Sequence, residues 1–178
     1  MSIQFSVAKN GEQTCSVDGI FIHSKYNPSQ EAKTWITSIQ TDFEPKNIIV
    51  LGCCIPYCVK FLKDRFQKSK ILLLQYDTIF ANFSNDCEDF FDCETFFIKD
   101  GIDDVTISES LFDYFGEEDA NRTLVISYLP SEKIFPEKAK IGQKGVQKYI
   151  KKSIDVIGTR MFFSKKWFQN SIRFFKNL

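Results

Sequence analysis

The chain has 178 residues, 43% of them hydrophobic and 19 of them phenylalanine, enough for one sizeable core without disulfide or metal staples. Its 23 basic and 23 acidic residues cancel, which removes any global electrostatic case for nucleic acid. No window approaches the ~20 apolar residues of a bilayer-spanning helix, and the start, Met1-Ser-Ile-Gln-Phe-Ser-Val7, lacks the basic and apolar regions of a signal peptide.

Residues Ile3 to Val17 read as a hairpin with Asn10-Gly11 as its turn dipeptide, and Gly19 to His23 as a short apolar strand. Asn27 then suits a helix N-cap, with Pro28 first in the helix and Glu31 in its first turn. Ala32, Trp35, Ile36 and Ile39 continue at helical spacing to about Gln40. Ile48 to Leu51 is an unbroken apolar run, the pattern of a strand covered on both faces. Pro56 can open the next helix, whose Val59, Phe61, Leu62 and Phe66 form an apolar face. Ile71 to Leu74, Thr95 to Ile98 and Thr123 to Ser127 read as three further strands, and Ser108 to Phe115 as a helix capped by Ser108.

After Pro136 the period stays helical: Val146, Ile150, Ile154, Ile157, Met161, Phe168, Ile172 and Phe175 recur near every 3.6 residues. Forty continuous helical residues would extend roughly 60 Å, so a break near Gly158 is expected. The alternation of strands and helices implies an α/β fold: a Rossmann-like, methyltransferase-like, mainly parallel sheet with helices on both faces. The expected division is 1–135 for that domain with its leading hairpin, and 136–178 for a C-terminal helical extension.

Charge is unevenly spread. Asp77 to Asp119 holds 14 acids and one base, Lys99, whereas Glu137 to Leu178 holds 11 bases and two acids. Separate solvated surfaces and packing of the basic tail on the acidic lobe or on a partner both account for this. The acids from Asp86 to Asp92 read as an exposed loop. The six cysteines are expected as reduced thiols of a cytoplasmic protein. Cys53, Cys54, Cys58, Cys87 and Cys93 lack the paired spacing of a zinc site, so no metal is expected.

The segment Lys46 to Asp77 is where chemistry would sit. A strand feeds a turn at Gly52, a helix follows, and a second strand ends at Gln75. In dinucleotide enzymes and class I methyltransferases, glycines in that turn let the backbone approach the ligand, and an acid ending the second strand binds ribose. Here the later glycine positions carry Cys54 and Pro56, Tyr57 follows, and the strand ends in Gln75 with Asp77 two residues on. Two readings stay open: a degenerate ligand cleft or a purely structural turn. His23, with Ser24 and Tyr26, is either a general base or a hydrogen-bonding group leading the chain into the helix at Asn27. Phe162, Phe163, Trp167, Phe168, Phe174 and Phe175 spread around the last helix, either as core or as a face for another domain or subunit.

The run Asp18-Gly-Ile-Phe-Ile-His-Ser-Lys-Tyr-Asn-Pro-Ser-Gln-Glu-Ala-Lys33 resembles an element of the motility-associated factor (Maf) flagellin glycosyltransferases, matched in order by His23, Ser24, Tyr26, Pro28, Glu31 and Ala32. Gly52 and Tyr57 match the family's glycine turn, while Cys54, Pro56 and Gln75 depart from it. Thr159, Trp167, Asn170 and Asn177 are similar to its late Thr, Trp and Asn pattern. The resemblance implies an N-terminal domain, noncatalytic by itself and without cofactor. It would position a catalytic domain, in the same or another chain, or the flagellin acceptor, for transfer of nonulosonic acids from CMP-activated donors to Ser and Thr. Expected partners are that catalytic domain, flagellin or a second copy, with no nucleic acid and no membrane insertion. The alternatives are a divergent S-adenosylmethionine-dependent methyltransferase and a stand-alone oligomerisation module.

Overall fold

The structure is a computed structural model that describes residues 2–83 and 93–176, with side chains described as far as Lys166. It is a mixed α/β protein with two sheets. The first is antiparallel, from β1 (Ile3–Val7), β2 (Gln13–Val17) and β3 (Ile20–Phe21) in that order. The expected hairpin therefore has a third strand. Gly11, at φ +89°, makes the turn possible.

The second sheet is wholly parallel and has the order β6-β5-β4-β7, from β4 (Asn47–Leu51), β5 (Lys70–Gln75), β6 (Cys93–Phe97) and β7 (Thr123–Ser127). All four lie where the short apolar runs placed them. Ile48, Val50, Ile71 and Leu73 pack against α1 (Pro28–Ser38) and α2 (Cys58–Arg65). Ile49, Leu51, Leu72 and Leu74 point to the other face, where Ile107 and Leu111 of α3 (Asp104–Phe115) join Val146 and Tyr149 of the last helix. Helices thus flank both faces, consistent with a Rossmann-like arrangement. Every residue of β4 is buried, which is why its sequence shows no alternation.

Helix starts were only partly legible. Asn27 caps α1, accepting the Gln30 N–H at 2.9 Å, with Pro28 first in the helix as expected. α3 starts a turn earlier than expected: Asp103, not Ser108, is its cap, accepting the Thr106 N–H at 2.8 Å. Ser108 is buried inside that helix. A short helix, α4 (Leu129–Ile134), leads into α5 (Pro136–Lys176), which runs unbroken for 41 residues. The expected break at Gly158 is absent, because a single exposed glycine costs a helix only ~1 kcal/mol and nothing lies near it to force a turn.

The first half of α5 belongs to the core. Ala139, Gly142, Val146, Tyr149 and Ser153 are buried at three- and four-residue spacing. A Cβ on Gly142 would sit 3.1 Å from Leu51 and Ile98, and one on Gly145 2.6 Å from Ile107, so these glycines bring the helix close to the sheet and α3. Lys138 pairs with Asp100, Lys148 with Asp104 and Arg160 with Glu117. The basic helix therefore does lie along the acidic lobe, which accounts for part of the charge asymmetry. Cys15, Cys53, Cys54 and Cys58 are free and buried. Cys93 is disulfide-bonded, against the expectation of six thiols. Asp86 to Asp92 lie outside the described residues. Among the described residues no helix is long and apolar enough to cross a membrane, and no group of His, Cys, Asp or Glu could hold a metal ion.

Candidate functional site

Strand order reverses between β4 and β7, so the crevice beyond Leu51 and Ser127 is where an open α/β sheet would place a ligand. The turn from Gly52 to Tyr57 forms one wall, and Tyr128, following β7, the other. The sequence singled out that turn. What occupies it is the protein itself.

Gly52 has φ +65°, and a Cβ there would collide with the Tyr76 ring and the Ser131 hydroxyl. The close approach that glycine permits is made by these two side chains rather than by a ligand. Cys54 has φ +58°, the left-handed conformation that favours glycine, so the turn keeps a glycine loop's backbone shape with a buried thiol at its apex.

Four of the turn's five N–H groups, those of Gly52, Cys54, Ile55 and Tyr57, are committed to partners in the protein. The Gly52 N–H donates to Leu74 O at 2.8 Å and Tyr57 N–H to Ile55 O at 2.9 Å. The Cys54 N–H donates to Gln75 Oε1 at 2.9 Å, and Gln75 Nε2 returns to Cys54 O at 2.7 Å and to Cys53 Sγ at 3.3 Å. Gln75 thus sits where a ribose-binding carboxylate would, but its amide splints the turn with both a donor and an acceptor. A carboxylate could supply only acceptors. Asp77 accepts the Ile79 N–H at 2.9 Å, a local turn bond after β5.

His23 closes the remaining space. Its Nε2 accepts the Ile55 N–H at 3.1 Å, and Nδ1 stands 3.2 Å from the Tyr128 hydroxyl, which itself donates to Ile22 O at 2.8 Å. One assignment satisfies all three contacts: a neutral imidazole, protonated at Nδ1, donating to Tyr128. The two rings stack at 5.1 Å and 20°, and the Thr14 hydroxyl holds the His23 carbonyl at 3.0 Å. Burial drives the imidazole pKa down to about 4; only an imidazolium could donate to the Cys53 backbone, and that is the one effect acting upward. Burial pushes the Tyr128 phenol up, aided by the Glu31 charge, and raises Cys54; it carries the Cys15 thiol up to about 12. None of these groups is set up as a base or nucleophile near neutral pH.

The neighbours of His23 explain the His-Ser-x-Tyr-x-Pro-x-x-Glu-Ala spacing mechanically. Ser24 Oγ accepts the N–H groups of Tyr26 and Asn27 at 3.1 and 3.2 Å, turning the chain into α1. Glu31, one helical turn in, accepts the Ser24 N–H at 2.8 Å. Tyr26 is exposed, under the ammonium groups of Lys9 and Lys25. Tyr57 reaches across to the first sheet, donating to Gln13 O at 2.8 Å.

So the structure brings His23, Gly52, Cys54, Tyr57 and Gln75 together, and leaves Ser24, Tyr26 and Asp77 at its rim in local turns. Sequence reasoning missed Tyr128, Tyr76, Ser131 and Thr14. Tyr128 was within reach, since it follows a strand beside the reversal; the others carried no signal. Phe162 and Phe163 are 64% and 54% exposed and touch each other edge-on at 5.7 Å. Trp167, Phe168, Phe174 and Phe175 lie outside the residues whose side chains are described. Open volume lies elsewhere, in a groove of about 570 Å³ between α3 and α5 lined by Val105, Ser108, Lys148, Lys152 and Val156 among others. The chain matches no family model, no curated protein and no solved structure.

Proposed function

We propose that this chain is a noncatalytic scaffold, a Rossmann-like fold whose ligand crevice is filled by its own side chains and which serves to position another domain. One observation carries the proposal: the N–H groups of Gly52, Cys54, Ile55 and Tyr57 are all spent on Leu74, Gln75, His23 and Ile55. A nucleotide would have to strip several bonds of a buried network, each worth ~1–3 kcal/mol when left unmade. The Maf resemblance of Asp18–Lys33 supplies the class of partner, a transferase domain that modifies flagellin Ser and Thr with nonulosonic acids in the cytoplasm.

Calorimetric titration with S-adenosylmethionine and with CMP tests the scaffold reading. Saturable binding tighter than ~1 mM, about −4 kcal/mol, overturns it. The methyltransferase-like reading keeps one observation in its favour, the left-handed backbone at Cys54. Against it stand the Gln75 splint and the Tyr76 ring, and the same titration separates the two.

A further inference from the structure

Each open sheet ends in two edge strands, whose outer backbone groups pair with nothing in the sheet. Among the described residues three of the four edges are blunted. β3 is two residues long. β6 carries Glu94 as its one exposed residue, and β7 exposes only Val125. β1 differs: four of its five residues are exposed, and Ile3-Gln-Phe-Ser-Val7 has no charge, no proline and no bulge in its register with β2. The devices that keep an edge from pairing are all missing there.

Register fixes which groups are free. In an antiparallel ladder, hydrogen-bonded and non-hydrogen-bonded pairs alternate. The Ala8 N–H donates to Glu12 O at 2.8 Å and the Asp18 N–H to Ser2 O at 3.0 Å, so Ser2, Gln4, Ser6 and Ala8 turn their backbone groups toward β2. Ile3, Phe5 and Val7 therefore turn theirs outward, where they meet no hydrogen-bond partner among the described residues. The open edge ends at Lys9, whose N–H donates to Lys25 O at 3.1 Å.

β1 is complementary to itself. Set antiparallel about a two-fold axis at Phe5, Ile3 faces Val7 of a second copy and Phe5 faces Phe5. These are the outward-turned residues, so each pair exchanges both of its bonds, about six in all. On one face the pairs are apolar and continue onto Phe80 and Phe83, whose rings lie 6.0 and 5.4 Å from Phe5. On the other face Gln4 meets Ser6, and no charge meets its like. A slip of one residue would set outward-turned groups against inward-turned ones. A strand of another protein could use the same backbone, but β1 offers no charge with which to select it.

We propose that β1 is a homodimer interface, two copies pairing antiparallel along Ile3–Val7 to join their three-stranded sheets into one. The pair is closed, because it leaves only the two-residue β3 at either end. This interface goes beyond the scaffold reading and leaves the switch-point crevice untouched.

A pair of five-residue strands is smaller than the ~800 Å² per partner of a standard stable interface, so a reversible dimer with a dissociation constant below ~1 mM is expected. Sedimentation equilibrium of the full chain, from about 1 μM to about 1 mM, measures it. Val7→Pro removes an outward N–H and no bond to β2, and is expected to weaken the dimer at least about tenfold. Gln4→Lys/Ser6→Lys sets like charges in the close pairs and weakens it too, whereas mixing that variant with Gln4→Glu/Ser6→Glu restores a heterodimer. Gln4 and Ser6 are exposed, so the charge variants keep the wild-type melting curve and decide the matter even where Val7→Pro disturbs the hairpin. A monomer throughout the range overturns the proposal. So does a dimer that the lysine variant leaves intact, or lysine and glutamate variants that ignore each other. Calorimetry with nucleotides answers separately for the crevice, so the two readings fail independently.

Discussion

The switch-point crevice and the projecting end of α5 are opposites in how they use polar and aromatic groups. In the crevice, His23, Tyr128, Gln75 and Tyr76 are at most 5% exposed, and three of the four side chains bind the backbone. On α5 beyond Arg160 the described rings, Phe162 and Phe163, are exposed, and the sequence holds no acid among the bases there. The same residue types close one region and leave the other unsatisfied. Burial decides the difference: a hydrogen bond inside is expensive to leave unmade, whereas a charge outside is cheap to keep and free to meet a partner.

The largest break in that contrast comes from two glycines. Gly52→Ala drives a methyl group into Tyr76 and Ser131 at a positive φ, and is expected to cost about 3–5 kcal/mol in urea unfolding. Its counterpart, Gly158→Ala, meets empty space in a helix and should stabilise by ~0.5–1 kcal/mol. Equal effects at the two sites would show that the turn is not packed as described.

His23→Ala comes next. It orphans the Ile55 N–H and leaves a cavity, for an expected loss of ~2–4 kcal/mol. It also removes a pH dependence. Because the folded imidazole is held to about pKa 4, the unfolded chain takes up a proton below pH 6.5 that the folded chain refuses. Wild-type stability is therefore complete above 6.5 and falls by ~3 kcal/mol as pH drops to 4. Unfolding curves across that window should show the slope in the wild type and not in the variant.

Gln75→Glu sharpens the comparison in the opposite sense. Its carboxylate would face the Cys54 carbonyl without a proton to donate, so the folded pKa is raised and stability is lost as pH rises above ~4.3. A cost of ~1–3 kcal/mol at pH 7, shrinking toward pH 4 relative to wild type, is expected. Smallest is the outer region: Met161→Ser/Phe163→Ser should leave stability within ~0.5 kcal/mol of wild type.

Much of this molecule was legible beforehand. The four parallel strands were readable because each is a short run rich in apolar residues; β4 and β5, in the middle of the sheet, are covered on both faces and show no alternation, while the edge strands β6 and β7 are only partly buried. α1 was readable from Asn27 and Pro28, whose preferences are local. α3 was misjudged by a turn because Ser108 and Asp103 are both acceptable caps on composition. Only the chain's approach shows that Asp103 faces the free N–H of Thr106. The break at Gly158 was inferred from length alone, and a helix has no reason to stop where nothing obstructs it.

By itself the sequence determined the α/β order, the capped entry at Asn27 and the loss of the glycines and carboxylate at the turn. These follow from period, propensity and residue chemistry, which act over a few positions. Tertiary structure alone decided what filled the vacated crevice. His23 meets Tyr128 across 105 residues and Ile55 across 32, and Gln75 meets Cys54 across 21. Such contacts leave no local pattern, because either partner taken singly is an ordinary polar or aromatic residue. Likewise the basic period of α5 looks uniform along the chain. Only the position of the acidic lobe, ending at the Arg160–Glu117 pair, divides it into a packed half and a projecting one.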